Sequence, residues 1–214
     1  MTFSLNEIET MGKRAACGAG LSFGLAEEAG KATRWLTTHH LPGAQILCEI
    51  LRLNDGVCYD ELAPVATNGE WRAPGGALCP LIAGPALSDR AADIAAGHGF
   101  ALVKTTKPIM LLSYLAAAAE SRDLSIEVSW PDARAVVSAK GMLLEGENLA
   151  ASSAKSVHCR LSETQPEVFA EPAREADVDA ASWAYLTRLM YRRLAPNTEA
   201  SRMAGAGAGL SDND

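Results

Sequence analysis

Aromatic side chains, positive charge and paired cysteines are all scarce in this chain of 214 residues. Aromatics make up 6% of it, while 48% is hydrophobic, much of that alanine. That balance disfavours a bulky all-β core and suits closely packed helices. Lysine and arginine number 19 against 26 acids, a net charge of −7. Phosphate backbones need a basic face, so nucleic acid is excluded as the main partner. The five cysteines, Cys17, Cys48, Cys58, Cys79 and Cys159, are odd in number and form no C-x-x-C pair. A disulfide framework and a zinc knuckle are both disfavoured, and a reducing cytoplasm fits. No long hydrophobic run exists. The longest, residues 109–119, is too short to span a bilayer. Acids stand near the N-terminus where a signal peptide carries Lys or Arg. The expectation is a cytoplasmic protein with no membrane segment.

What is present is mostly helix punctuation. The length allows one domain with its own core, taken here as residues 1–214. It divides into a helical N-terminal segment (residues 1–55), an α/β segment (56–162), an acidic linker (163–179), and a C-terminal helix with tail (180–214). Ser4-Leu5-Asn6-Glu7 has the capping-box pattern, so a helix starts there and runs to about Cys17. Gly18 and Gly20 stop it. Ser22 caps a second helix to about Thr38, on which Leu25, Ala29, Ala32 and Leu36 share one face. Ala26, Ala29, Gly30 and Thr33 form a small-residue patch on this helix. Glycine at mid-helix costs about 1 kcal/mol against alanine, which implies that a backbone or a ligand packs at Gly30. A third helix covers residues 44–53, and residues 57–100 read as loops with one short helix at 88–96. Strands are expected at 100–104, 125–130, 134–139 and 155–161, with a helix at 108–121 between the first two. The segment 163–179 holds six acids and one arginine and reads as a solvated linker. A helix follows from Asp177 or Asp179 to Arg192-Arg193. The fold class is therefore α+β: N-terminal helices packed with a short antiparallel sheet, a C-terminal helix and a Gly-rich tail.

Each chemically capable residue has a plain alternative. Glu28 could act as a general acid or base, since its neighbour Glu27 already has Lys31 four residues on. The alternative is a solvated helix face. His40, beside His39 at the end of the second helix, could move protons near neutral pH; otherwise it is a polar helix end. Cys79 follows Gly75-Gly76 and could present a thiolate on a bent loop, with His98 and His158 as bases elsewhere in sequence; otherwise it is a buried structural thiol. These three are the catalytic candidates. The ligand-binding candidates are Arg34 and a tail set: Glu199, Ser201, Arg202, Gly205, Gly207 and Gly209. Arg202 could clamp a carboxylate or phosphate over a glycine backbone nest. A flexible tail is the alternative. The tail is neither a P-loop nor a Rossmann fingerprint. No metal-ligand spacing such as H-E-x-x-H occurs, so no metal is assigned, and no cofactor is specified.

Two resemblances rest on particular stretches. Ser4-Leu5-Asn6-Glu7-Ile8-Glu9, Arg14-Ala15-Ala16, Gly18-Ala19-Gly20, Gly24-Leu25-Ala26-Glu27-Glu28-Ala29 and Arg34-Trp35-Leu36 resemble a bacterial family of unknown function. The tail, Glu199-Ala200-Ser201-Arg202 with Gly205 to Gly209 and Asp212-Asn213-Asp214, is similar to it too. That resemblance implies no activity. The N-terminal region is also similar to the malate/lactate dehydrogenase type 2 family. That family opens with two short helices leading to a Ser-His-Gly element with its catalytic histidine. Here the corresponding place reads Thr38-His39-His40-Leu41, the chain is shorter, and the cofactor-binding region has no match.

The leading expectation is an accessory or subunit-like metabolic protein that binds a small anionic metabolite or a partner enzyme. A stand-alone enzyme of small-molecule metabolism, an oxidoreductase among the options, is the first alternative. A structural protein that forms a homo-oligomer through its small-residue helix is the second.

Overall fold

Ser4 starts the first helix as its spacing predicts. In the computed structural model, which describes residues 1–166 and 171–193, Ser4 Oγ accepts from the Glu7 amide at 3.3 Å. The Glu7 carboxylate accepts from the Ser4 amide at 2.8 Å, closing the box. A short strand β1 (Thr2–Ser4) precedes α1 (Leu5–Gly18). Gly20, at φ +102°, ends α1. The Leu21 amide reaches back to Ala16 O and the Gly20 amide to Cys17 O, a Schellman turn. Ser22 then caps α2 (Phe23–Thr38) through the Leu25 amide. The Gly-Ala-Gly-Leu-Ser stretch is thus one helix stop followed by one helix start. The next elements are α3 (Gly43–Leu53) and α4 (Tyr59–Leu62).

The small face of α2 packs inside the chain. Ala26, Ala29, Gly30 and Thr33 are buried against α1. A Cβ on Gly30 would stand 2.8 Å from the Glu9 carbonyl oxygen, so the two backbones touch there. The expectation of a dimer built on this face is corrected, because α1 of the same chain covers it.

The remaining elements are β2 (Glu70–Trp71), α5 (Pro80–Ser88), α6 (Ala91–Ala95), β3 (Phe100–Thr106), α7 (Leu111–Arg122), β4 (Ser125–Trp130), β5 (Ala133–Ser138), β6 (Met142–Gly146), β7 (Ser153–Leu161), β8 (Glu175–Asp177) and α8 (Ala180–Tyr191). Six strands form one sheet in the order β2-β3-β7-β4-β5-β6. All its pairs are antiparallel except β2 with β3. Alternation sends Leu102, Val157, Cys159, Val128, Ala135 and Val137 to one buried face, on which α6 and α7 lie. The arrangement is α+β, with a C-terminal helix.

Four local expectations change. Residues 80–88 form a helix rather than loop: Pro80 occupies its first turn, where no amide is needed. Pro85 sits inside that helix, and Gly84 lies against the ring of Tyr114. Ser88 therefore ends a helix instead of starting one. The sheet is wider than predicted, because β6 and β2 join it and β2 does so in parallel. The acidic segment contains β8, which pairs with β1 in the register Thr2↔Asp177, Phe3↔Ala176, Ser4↔Glu175. Met1 and Val178 exchange backbone bonds at 3.1 and 2.9 Å, and Phe3 stacks on Trp183 with centroids 3.7 Å apart. Asp179 caps α8 by accepting from the Ser182 amide at 2.8 Å.

Candidate functional site

The site begins where α1 crosses α8. A Cβ on Gly18 would run into the Leu189 carbonyl, so the helices meet backbone to backbone. Beside this crossing lies an open groove of about 900 Å³, walled by one stripe of α1, the first residue of α2 and the end of α8. Thr10, Lys13, Arg14 and Cys17 supply the stripe, at helical spacing. Phe23, Tyr191 and Arg193 close the other side. A second cleft of about 310 Å³ continues along the same seam towards Trp183, and Thr10, Arg14 and Met190 line both.

Charge is distributed unevenly among these walls. Lys13 Nζ stands 3.0 Å from the Glu27 carboxylate. Glu9, the groove's own acid, is held by Arg34 at 2.9 Å. Those pairs neutralise one another. Arg14 is exposed and makes no hydrogen bond or ion pair among the described residues. Arg193 lies 4.7 Å from the centroid of the Phe23 ring and has no carboxylate partner among them. The groove therefore carries two guanidiniums with no carboxylate partner among the described residues, in a chain of net charge −7. Guanidinium is a planar, permanently charged fork suited to carboxylate or phosphate.

The residues singled out from sequence lie elsewhere, in several places. Arg34 donates to Asn6 Oδ1 at 2.8 Å and Glu9 Oε2 at 2.9 Å, so it ties α2 to α1. Glu28 pairs with Lys31 at 2.8 Å on a half-exposed helix face. Lys13 and Lys31 hold Glu27 below the usual carboxylate range. His40 occupies the left-handed position of a second Schellman turn, at φ 59°. The His40 amide bonds Thr37 O, the Leu41 amide bonds Leu36 O, and His40 Nε2 lies 3.0 Å from Glu171 O. Ten residues of α2, roughly 15 Å of helix, separate Glu28 from Thr38, and His40 lies past that end.

Cys79 is not on a bent loop. It is the N-cap of α5 and 2% exposed. Burial pushes its thiol up to about 12, although the Leu81 and Ile82 amides and the Asn54 side chain favour the thiolate. At neutral pH it is a thiol on the wall of a cavity of about 80 Å³, with Asn54 and Gly20 nearby. Glu28, His40 and Cys79 share no cleft described above. Glu199, Ser201, Arg202, Gly205, Gly207 and Gly209 lie outside the described residues. No group of three or more His, Cys, Asp or Glu that could hold a metal occurs among the described residues. No helix among them is long and apolar enough to cross a membrane.

Sequence reasoning missed Lys13, Phe23, Tyr191 and Arg193, and it met Arg14 only within a resemblance. The one signal available was Phe23, an aromatic at the first position of a helix whose apolar face lies elsewhere.

A family model described as a protein of unknown function (DUF3726) matches residues 3–79, which run from β1 to the N-cap of α5. No curated protein matches the chain. Among solved structures, malate dehydrogenase from Entamoeba histolytica is similar at a TM-score of 0.48 and 9% identity. The match covers 68% of this chain and 49% of that one, so the chain spans about half the length of that enzyme.

Proposed function

We propose that this chain is a cytoplasmic bacterial accessory protein of metabolism that binds a small anionic metabolite in the groove on the α1–α8 seam. One observation carries the reading: the exposed guanidinium of Arg14, unpartnered among the described residues, stands where the two clefts join. Arg193, over the Phe23 ring and with no carboxylate partner among the described residues, adds a second positive charge. Arg34 assists at one remove by occupying Glu9, the acid that would otherwise repel an anion. Binding is favoured over catalysis because Cys79 is held as a thiol and Glu28 and His40 stand far apart with partners of their own.

A thermal-shift series with citrate and inorganic phosphate tests this. A ligand held by the folded state at a hundred times its Kd stabilises by about 2.7 kcal/mol. Wild type is expected to rise in Tm, Arg14→Gln to lose most of that rise, and Arg202→Ala to keep it. An equal rise in wild type and Arg14→Gln rejects the groove. A loss confined to Arg202→Ala moves the site to the tail.

A further inference from the structure

We infer that the groove takes an aromatic anion, a planar ring stacked on Phe23 or Tyr191 with its phosphate or carboxylate on Arg14. This rests on the anion-binding reading above and adds the class of ligand. The chain is poor in aromatics, and three of them are strongly exposed among the described residues: Phe23 at 68%, Tyr191 at 61% and Tyr59 at 54%. Two of those three line the same groove as Arg14 and Arg193. Phe23 lies outside the hydrophobic core. It opens α2 just after the Ser22 cap, where a polar residue would serve the helix as well. Its ring already accepts one planar group, since the Arg193 guanidinium lies over it.

The dimensions agree with a ligand larger than a bare ion. A groove of about 900 Å³ lies in the range of sites for mononucleotide-sized molecules. A simple phosphate on Arg14 would leave both rings in water. Glu9, the acid that lines the larger cleft, is held by Arg34, and Glu27 by Lys13 and Lys31; Glu7, in the adjoining cleft, is engaged by the Ser4 amide and hydroxyl. Stacking on an aromatic side chain strengthens binding on the order of tenfold per ring.

Titration calorimetry on the full chain decides it, with adenosine monophosphate, 4-hydroxybenzoate, inorganic phosphate and citrate as probes. At least one aromatic anion is expected to bind about ten times more tightly than phosphate and citrate. The double variant Phe23→Ala/Tyr191→Ala is expected to abolish that advantage while keeping wild-type circular dichroism, both side chains being exposed. Citrate or phosphate binding as tightly as the aromatic anions overturns the stacking inference and leaves the anion site standing. Tight aromatic binding that survives the double variant also overturns it. Failure of all four probes overturns both readings.

Discussion

Glu127 is the residue at which burial and charge compete most directly. It is 5% exposed, on the sheet face opposite α7, yet it is ionised. Burial alone would raise its carboxyl. Hydrogen bonds from Arg134 Nε at 2.7 Å and Arg160 Nε at 2.8 Å outweigh that and hold it below the usual carboxylate range. A carboxylate depressed in the folded state contributes fully above its unfolded value, roughly 4.3. The contribution fades as pH falls through the lower folded value. Glu127→Gln is expected to cost about 1–2 kcal/mol at pH 7, a figure reduced because Arg160 is largely exposed. The deficit should shrink at pH 3. Urea denaturation at both pH values measures it, and an undiminished deficit at pH 3 would assign the loss to packing. Arg14 shows the opposite case at the same scale. It is a charge left without a partner among the described residues, which a helical position alone does not explain.

At the scale of elements, two glycines in neighbouring helices should respond with opposite signs. Gly18 stands in α1 where the Leu189 carbonyl leaves no room for a Cβ. Gly24 stands in the first turn of α2 with nothing within 4 Å of where its Cβ would be. Alanine favours helix over glycine by about 1 kcal/mol in the interior and less near an end. Gly24→Ala should therefore gain a few tenths of a kcal/mol, while Gly18→Ala should lose about 2 kcal/mol or more as α8 is pushed off α1. Chemical denaturation of both variants gives the comparison, and a neutral Gly18→Ala would show that the seam is slack. The first two helices were legible because their caps are local: Ser4 with Glu7, Gly20, and Ser22. Helix α5 was hidden by Pro80, Gly84 and Pro85, which mark loops in sequence and are tolerated here by position and packing. Strand β6 was missed because Met142-Leu143-Leu144 carries no alternation.

The whole molecule is closed by a contact between distant stretches of the chain. Strands β1 and β8 pair, the N-terminal amine bonds Val178 O, and Phe3 stacks on Trp183 at the start of α8. This clasp helps seat α8 along α1 and so shapes the groove. Deleting residues 1–4 removes the strand, the stack and the Ser4 cap, together about 2–3 kcal/mol. For a chain of this size that corresponds to a fall in Tm of about 4–12 °C. Scanning calorimetry should find it, with faster amide exchange at Glu175–Asp177. An unchanged Tm would mean that the Gly18 crossing and the contacts of α8 with α3 and Asp55 hold it without the clasp.

The amino-acid sequence by itself determined the helix boundaries at Ser4, Gly20 and Ser22, most of the antiparallel strands and the α+β class. Each depends on residues a few positions apart: a side chain that reaches its own backbone, a glycine at positive φ, or apolar residues repeating at the period of one element. Only the tertiary structure decided what lies near what. Arg14 and Arg193 are separated by most of the chain, and they share a groove because Gly18 lets α8 cross α1 at backbone contact. Arg34 became a brace for Glu9 for the same reason, since its partner lies on another helix. Burial, likewise invisible locally, made Cys79 a thiol. A site assembled from helix ends leaves no motif, because the forces that bring those ends together are non-directional packing and close backbone approach.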